Sequence, residues 1–123
     1  MSFLDRIAEC NRHDPALYVP LIIRGRALGR IRKALLPIAG VGTGEAGLRI
    51  DDQETLDPAA TAIIETGRTP PARGERYRVG PRFDETWLTV ERAAVEALGI
   101  TAYGVHLTGY VCRADGLHVW VPR

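Results

Sequence analysis

Apolar and polar positions in the first quarter of the chain predict a short helix followed by a β-hairpin. Ser2 and Asp5 have the spacing of a helix-capping box, and an apolar stripe at helical spacing follows them. The β-rich run Leu17–Ile23 predicts a strand, residues 24–26 predict a turn, and residues 27–31 predict a short returning strand. The chain therefore begins with mixed secondary structure.

The middle of the chain alternates between helical and extended patterns. Apolar residues from Ile31 to Ile38 recur at helical spacing, although Pro37 would strain a helix there unless it lay near an end. Residues 48–50 predict a brief strand. The Asp57-Pro58 pair predicts the capped start of a helix that Gly67 ends.

Two further strands and one short helix are predicted before residue 100. Tyr77–Val79 and Thr86–Arg92 have strand patterns, and Leu88 and Val90 share one face of the second. Ala93–Leu98 predicts a short helix that Gly99 ends. Because strands and helices do not alternate strictly, the expected fold class is α+β rather than α/β.

The C-terminal residues 103–123 predict a second hairpin, because two β-rich runs flank an Asp-Gly turn. A two-residue loop would pair Val111 with Trp120 and mix polar and apolar side chains on both faces. A three-residue loop would pair Val111 with Val119 and sort the side chains cleanly, so this register is favoured. It places the following residues together on one face: His106, Thr108, Tyr110, Cys112, His118 and Trp120.

This predicted face allows two interpretations. A Tyr110–Trp120 cross-strand pair with His106 and Thr108 beside it fits a second packed layer, or the wall of a site for a flat ligand. A hairpin alone is marginally stable in water, so a further segment or a second copy of the chain is expected to complete the sheet. We therefore expect either a homo-oligomer formed through the hairpin edge or a further module that completes the sheet.

Composition narrows the class of protein. The chain has 123 residues, 46% hydrophobic and 25% charged, which fits one small globular domain. A formal net charge of +1 predicts no general nucleic-acid binding. The longest apolar run contains Pro20 and is too short to cross a membrane. Cys10 and Cys112 are far apart in the sequence, which favours a reduced, cytoplasmic protein.

Three motifs allow a functional interpretation as well as a structural one. Residues 42–47 match G-x-G-x-x-G, but no strand precedes them and no helix follows, so a surface loop is expected. The basic run Arg24–Lys33 fits a solvated rim or an anion site. Cys112 and His118 would face each other in the favoured register, where packing is a simpler explanation than a nucleophile or a metal site.

Several of these segments together resemble one family. The opening M-S-F-L-D-R-I-x-x-C-N, the block V-E-R-A-A-V-E-A-L-G-I and the run A-Y-G-V-H-L-T-G-Y-V-C-R are similar to the thiamine-pyrophosphokinase-related group of Nudix hydrolases. The resemblance implies an N-terminal α+β domain over residues 1–99, and a first β-hairpin that begins a Nudix-like sheet over residues 100–123. It also implies hydrolysis of a thiamine diphosphate-like or nucleoside diphosphate-like substrate.

By the same resemblance, the hairpin contacts the organic part of the substrate. The substrate-binding residues that it implies are His106, Thr108, Tyr110, Trp120 and Arg123. The chain lacks the segment G-x5-E-x7-R-E-U-x-E-E-x-G-U (U, bulky aliphatic), whose glutamates hold Mg²⁺ against the diphosphate. No catalytic residue, metal ligand or cofactor is therefore assigned to this chain, Mg²⁺ is implied only where such a segment follows, and no hydrolysis is expected from the chain alone. The alternative is a non-enzymatic ligand-binding or oligomerisation module.

Overall fold

The computed structural model describes residues 2–40 and 47–121, which form an α+β fold as predicted. The helices and strands, in chain order, are α1 (Phe3–Cys10), β1 (Tyr18–Ile23), β2 (Arg26–Arg32), β3 (Leu48–Ile50), α2 (Gln53–Glu65), β4 (Arg76–Val79), β5 (Leu88–Glu91), β6 (Tyr110–Arg113) and β7 (Gly116–Val119). No helix within the described residues has the length and apolar content needed to cross a membrane.

The first sheet has the strand order β2-β1-β3. β1 is antiparallel to β2 and parallel to β3. Arg24 and Gly25 form the β1–β2 turn with φ angles of 48° and 78°, the positive values that a tight hairpin of matching twist requires. The predictions of the capped first helix, of this hairpin and of the short strand β3 are confirmed.

One apolar core joins this sheet to α2 and to the antiparallel pair β4–β5. Alternate residues of β1 point into it. Leu88 and Val90 of β5 also point into it, as the alternation in that strand's sequence predicted. The inward face of α2 follows helical spacing: Leu56, Ala59, Ala60 and Ile63. The segment 94–100 closes the core with Ala94, Val95, Leu98 and Ile100.

One predicted helix is absent, and another begins earlier than predicted. The stretch beginning at Ile31 is not a helix, because Ile31 pairs with Val19 in the sheet and is buried there, and only residues 33–35 form a 3-10 turn. Helix α2 begins at Gln53 with Asp52 as its N-cap, not at Asp57. Pro58 is tolerated inside this helix, where the surrounding apolar residues are packed in the core.

The predicted helix over residues 93–98 is also shorter than expected. A 3-10 turn covers Arg92–Ala94, and the chain then turns until Gly99, whose φ is 59°. The Leu98 N–H still donates a helix-like hydrogen bond of 3.0 Å to the Ala94 carbonyl oxygen. The segment is thus a compact turn that places Leu98 in the core rather than a full helix.

Candidate functional site

The C-terminal hairpin exists, but its register differs from the predicted one. Tyr110 lies opposite Val119, and Val111 lies opposite His118 rather than Val119. Ala114 and Asp115 make the turn, and Gly116 follows with a φ of 132°. The predicted three-residue loop is therefore wrong.

The observed register separates side chains that were expected to meet. Trp120 lies beside Gly109, to whose carbonyl oxygen its N–H donates a hydrogen bond of 2.9 Å. Because side chains alternate along a strand, Tyr110 and Trp120 project from opposite faces, and the predicted aromatic pair is absent. Cys112 lies opposite Leu117, so it does not face His118.

The reason lies in the surroundings of the hairpin. A register is strongly specified only where one face of a ribbon is buried. Every residue from 101 to 121 is exposed in the described chain, including the apolar residues of both faces. Local turn geometry therefore sets the pairing, and a contact of 3.0 Å between His118 Nε2 and Asp115 Oδ1 spans the turn.

The remaining predicted site residues are not gathered by the hairpin. His106 and Thr108 lie before β6 in an irregular, exposed segment. Tyr110 and Trp120 are 65% and 74% exposed, so both rings are accessible. Arg123 lies outside the described residues.

A second feature is a surface cavity of about 440 Å³ that the sequence did not reveal. It lies where the end of β2, the residues after α2, and the segment 93–97 meet. Its wall is part apolar and part charged, and the residues that matter here are Tyr18, Arg32, Leu35, Ile63, Arg68 and Glu96. Only the pairing of Tyr18 with Arg32 across the predicted hairpin could have indicated it.

Arg32 lies in the wall of this cavity and is bound there by Tyr18. Its Nε donates a hydrogen bond of 3.0 Å to the Tyr18 hydroxyl oxygen, and its guanidinium carbon lies 5.5 Å from the centroid of the ring. The hydrogen bond to Tyr18 raises the pKa of Arg32 above its ordinary value. The His13 ring lies 4.9 Å from the Tyr18 ring. The arginine is therefore fixed in place and charged.

The other motifs acquire local explanations. Within the basic run, the Arg24 N–H donates to Asp51 Oδ1 at 2.8 Å, and the Arg24 guanidinium carbon lies 5.9 Å from the Trp87 centroid. This arginine has a structural role at the β1–β2 turn. The G-x-G-x-x-G motif lies outside the described residues except for Gly47.

The acids, histidines and cysteines of the described chain do not converge. Residues 2–40 and 47–121 contain no group of three or more such side chains that could hold a metal ion. Cys10 and Cys112 are free and exposed. The donor set that a Mg²⁺ site requires, several converging carboxylates, is thus missing from these residues.

Comparison with known sequences gives a consistent relationship. No family model matches the chain. The chain is 30% identical over 147 residues to Nudix hydrolase 20, chloroplastic, of Arabidopsis thaliana, across 99% of this chain and 39% of that protein. It is 26% identical over 140 residues to Nudix hydrolase 24, chloroplastic, of the same plant, across 99% of this chain and 38% of that protein.

A shorter match points to a third protein. The chain is 40% identical over 53 residues to an uncharacterized protein of Saccharomyces cerevisiae, across 42% of this chain and 15% of that protein. The chain spans about two fifths of the length of the two plant relatives. Over almost its whole length, this chain is therefore related in sequence to a part of proteins named Nudix hydrolases.

Proposed function

We propose that these 123 residues act as part of a Nudix-type diphosphate hydrolase. Residues 1–99 are its N-terminal domain, and residues 100–123 are the first hairpin of its Nudix module. The substrate is a thiamine diphosphate-like or nucleoside diphosphate-like molecule. The sequence relationship to the two plant Nudix hydrolases supports the reaction class.

The observation that carries this proposal is the C-terminal hairpin, which buries none of its residues in the described chain. Two isolated strands are marginally stable, so a ribbon of this composition needs further strands or a packed helix. Leu107 is 96% exposed and illustrates the apolar surface that remains to be covered. A larger Nudix-like sheet would cover it.

Within that sheet, the hairpin would contact the organic part of the substrate. The residues proposed for this contact are His106, Thr108, Tyr110, Trp120 and Arg123. Because Tyr110 and Trp120 project from opposite faces, a flat ligand would meet one ring directly while the other packs against the rest of the module. Aromatic rings serve both purposes well.

The described residues do not fit a Mg²⁺ site, because no cluster of carboxylates converges in them. In this proposal the metal is held by glutamates of a Nudix segment, which this sequence does not contain. These glutamates would supply the metal-assisted activation of water, while the present chain binds and orients the organic group.

An activity assay tests the proposal. The purified 123-residue chain is expected to release no phosphate from thiamine diphosphate or ADP in the presence of Mg²⁺. A chimera, in which this chain replaces the corresponding part of Nudix hydrolase 20, is expected to hydrolyse one of them. Release by the chain alone would contradict the proposed division of roles.

Hairpin substitutions in that chimera sharpen the test. Tyr110→Ala and Trp120→Ala are compared with Phe3→Ala, which removes another exposed aromatic ring, from α1. We expect at least one hairpin variant to lower kcat/KM by about tenfold, on the order of the loss of one well-packed contact. Equal values for all three variants in a folded chimera would contradict a substrate-facing hairpin.

The second candidate function is a non-enzymatic binding or oligomerisation module. Among the described residues, the outer edges of β6 and β7 pair with no other strand. This favours the second function, since exposed edges recruit strands from other chains. Its expected signature is self-association of the 123-residue chain without any hydrolysis in the chimera.

A further inference from the structure

The cavity beside Tyr18 has the form of a ligand site that is separate from the hairpin. At about 440 Å³ it falls within the range of pockets that hold small organic molecules. Its lining includes the buried residues Leu35 and Ile63. A ligand with an apolar body would cover these side chains and displace water from them.

The polar side of the cavity is built to bind an oxyanion. Arg32 uses its Nε on Tyr18, and within residues 2–40 and 47–121 its Nη1 and Nη2 donate to no protein group. Two parallel N–H groups of a guanidinium match the two oxygens of a carboxylate or phosphate. Because Tyr18 already fixes the side chain, binding costs little additional side-chain entropy.

Arg68 and Glu96 determine which ligand charge the cavity favours. Arg68 lies on the cavity wall, and no carboxylate lies within 4 Å of its guanidinium among the described residues. Glu96 contributes one carboxylate to the same wall. Two guanidinium groups and one carboxylate leave an excess of one positive charge in the wall. A ligand with one anionic group is therefore favoured, and a second anionic group would meet repulsion from Glu96.

We propose that this cavity binds a small organic molecule in which a single carboxylate or phosphate group is attached to an apolar body. Arg32 and Arg68 bind the oxyanion, Leu35 and Ile63 contact the body, and Tyr18 acts as a positioning residue for Arg32. This site is independent of the diphosphate hydrolase activity proposed above.

The test is a titration of the 15N-labelled 123-residue chain by NMR with four probes. Phenyl phosphate and benzoate carry both recognised features, phenol lacks the anion, and inorganic phosphate lacks the apolar body. Saturable chemical-shift changes at residues around the cavity are expected with phenyl phosphate, benzoate or both. The probe that binds more tightly identifies the preferred oxyanion. Affinities for phenol and inorganic phosphate are expected to be about tenfold weaker or more. Phenol binding as tightly as both anionic probes would overturn the proposal.

Variants locate the binding. Arg32→Gln and Arg68→Gln should each lower the affinity for the tighter-binding probe by about tenfold, as expected for loss of a charge-assisted hydrogen bond. Tyr18→Phe keeps the ring but loses the hydroxyl that holds Arg32. It should lower the affinity for the same probe by about threefold. Arg26→Gln removes an exposed charge from the same strand, outside this cavity, and should leave affinity unchanged.

Thermal unfolding identifies any variant that fails to fold, and Arg32→Lys then replaces Arg32→Gln, with the same loss of affinity expected because an ammonium cannot reproduce the bidentate fork. Equal affinity in the wild type and both arginine variants would overturn the assignment. An equal loss of affinity in Arg26→Gln would also overturn the assignment, since the effect would then follow from the overall charge of the chain.

Discussion

The backbone N–H of Arg30 donates a hydrogen bond of 3.3 Å to the carbonyl oxygen of Gly99, and so joins the middle of β2 to the turn that closes the core. The two backbones approach so closely that a Cβ added at Gly99 would overlap the Arg30 carbonyl oxygen. A Cβ added at Gly29 would lie 2.6 Å from the Leu98 carbonyl oxygen. Glycine is required on both sides of this contact.

Replacing Gly99 with alanine should therefore destabilise the fold. Gly99 has a φ of 59° and no space for a side chain, so Gly99→Ala should lower the free energy of unfolding by about 2–4 kcal/mol. Gly74 has a φ of 74°, but no atom of the described residues lies within 4 Å of a Cβ added there. Gly74→Ala should then cost only about 1 kcal/mol of conformational strain. Urea unfolding measures both, and equal losses would refute the close backbone contact.

A pair of leucines distinguishes the core from the C-terminal segment. Leu56 of α2 is fully buried, whereas Leu107 is 96% exposed. Leu56→Ala should lower the free energy of unfolding by about 2–5 kcal/mol because it leaves a cavity. Leu107→Ala should change it by less than about 0.5 kcal/mol. A comparable loss at Leu107 would show that the segment before β6 is packed within the monomer.

The cap of α2 should make stability depend on pH. Hydrogen bonds from the Thr55 side chain, and then from its backbone N–H, hold the pKa of Asp52 below its ordinary value. A lowered folded-state pKa means that this stabilisation is present above the unfolded-state pKa of about 4 and is lost as pH falls through the folded-state value.

Asp52→Asn should preserve the cap at neutral pH but remove this contribution to acid sensitivity, because asparagine caps helices equally well and does not titrate. Asp52→Ala should lower the melting temperature at neutral pH. Melting curves between pH 2 and 7 compare the three proteins, and an unchanged acid slope in Asp52→Asn would contradict the assignment.

Self-association should depend on the hairpin. Leu117 lies on β7 and Leu17 lies in the 3-10 turn before β1, and both side chains are exposed. In sedimentation equilibrium the wild-type chain should associate as its concentration rises, and Leu117→Lys should weaken this association by placing a charge on the exposed ribbon. Leu17→Lys should have no effect. A wild-type chain that stays monomeric at millimolar concentration would refute the prediction.

The elements that the sequence predicted correctly are those in which local signals agree with packing. Strand β1 lies within the β-rich run Leu17–Ile23, and the Arg24-Gly25 turn follows it directly, so run and turn indicate the same hairpin. The start of α2 was misplaced because the Asp57-Pro58 signal is locally strong. The true start at Gln53 is also marked locally, because the Asp52 side chain accepts a hydrogen bond from the Thr55 backbone N–H, but Asp52 was not weighed as a cap.

For the candidate sites too, local sequence signals did not record the contacts that form only in the folded chain. Sorting of side chains chose the wrong register for the C-terminal hairpin because nothing in the described chain buries either face. The cavity escaped prediction because Tyr18, Arg68 and Glu96 are far apart in sequence and meet only in the folded chain. Arg32 was recognised as part of a basic run, but its orientation by Tyr18 required the strand pairing.

Amide hydrogen exchange of the 123-residue chain tests most directly whether its C-terminal hairpin needs a further segment or a second chain to be stable. At a concentration where the chain is monomeric, the ladder amides of β6 and β7 should exchange almost without protection, while those of Leu21 and Ile23 in β1 should be strongly protected. Protection of β6 and β7 equal to that of β1 in the monomer would contradict the account.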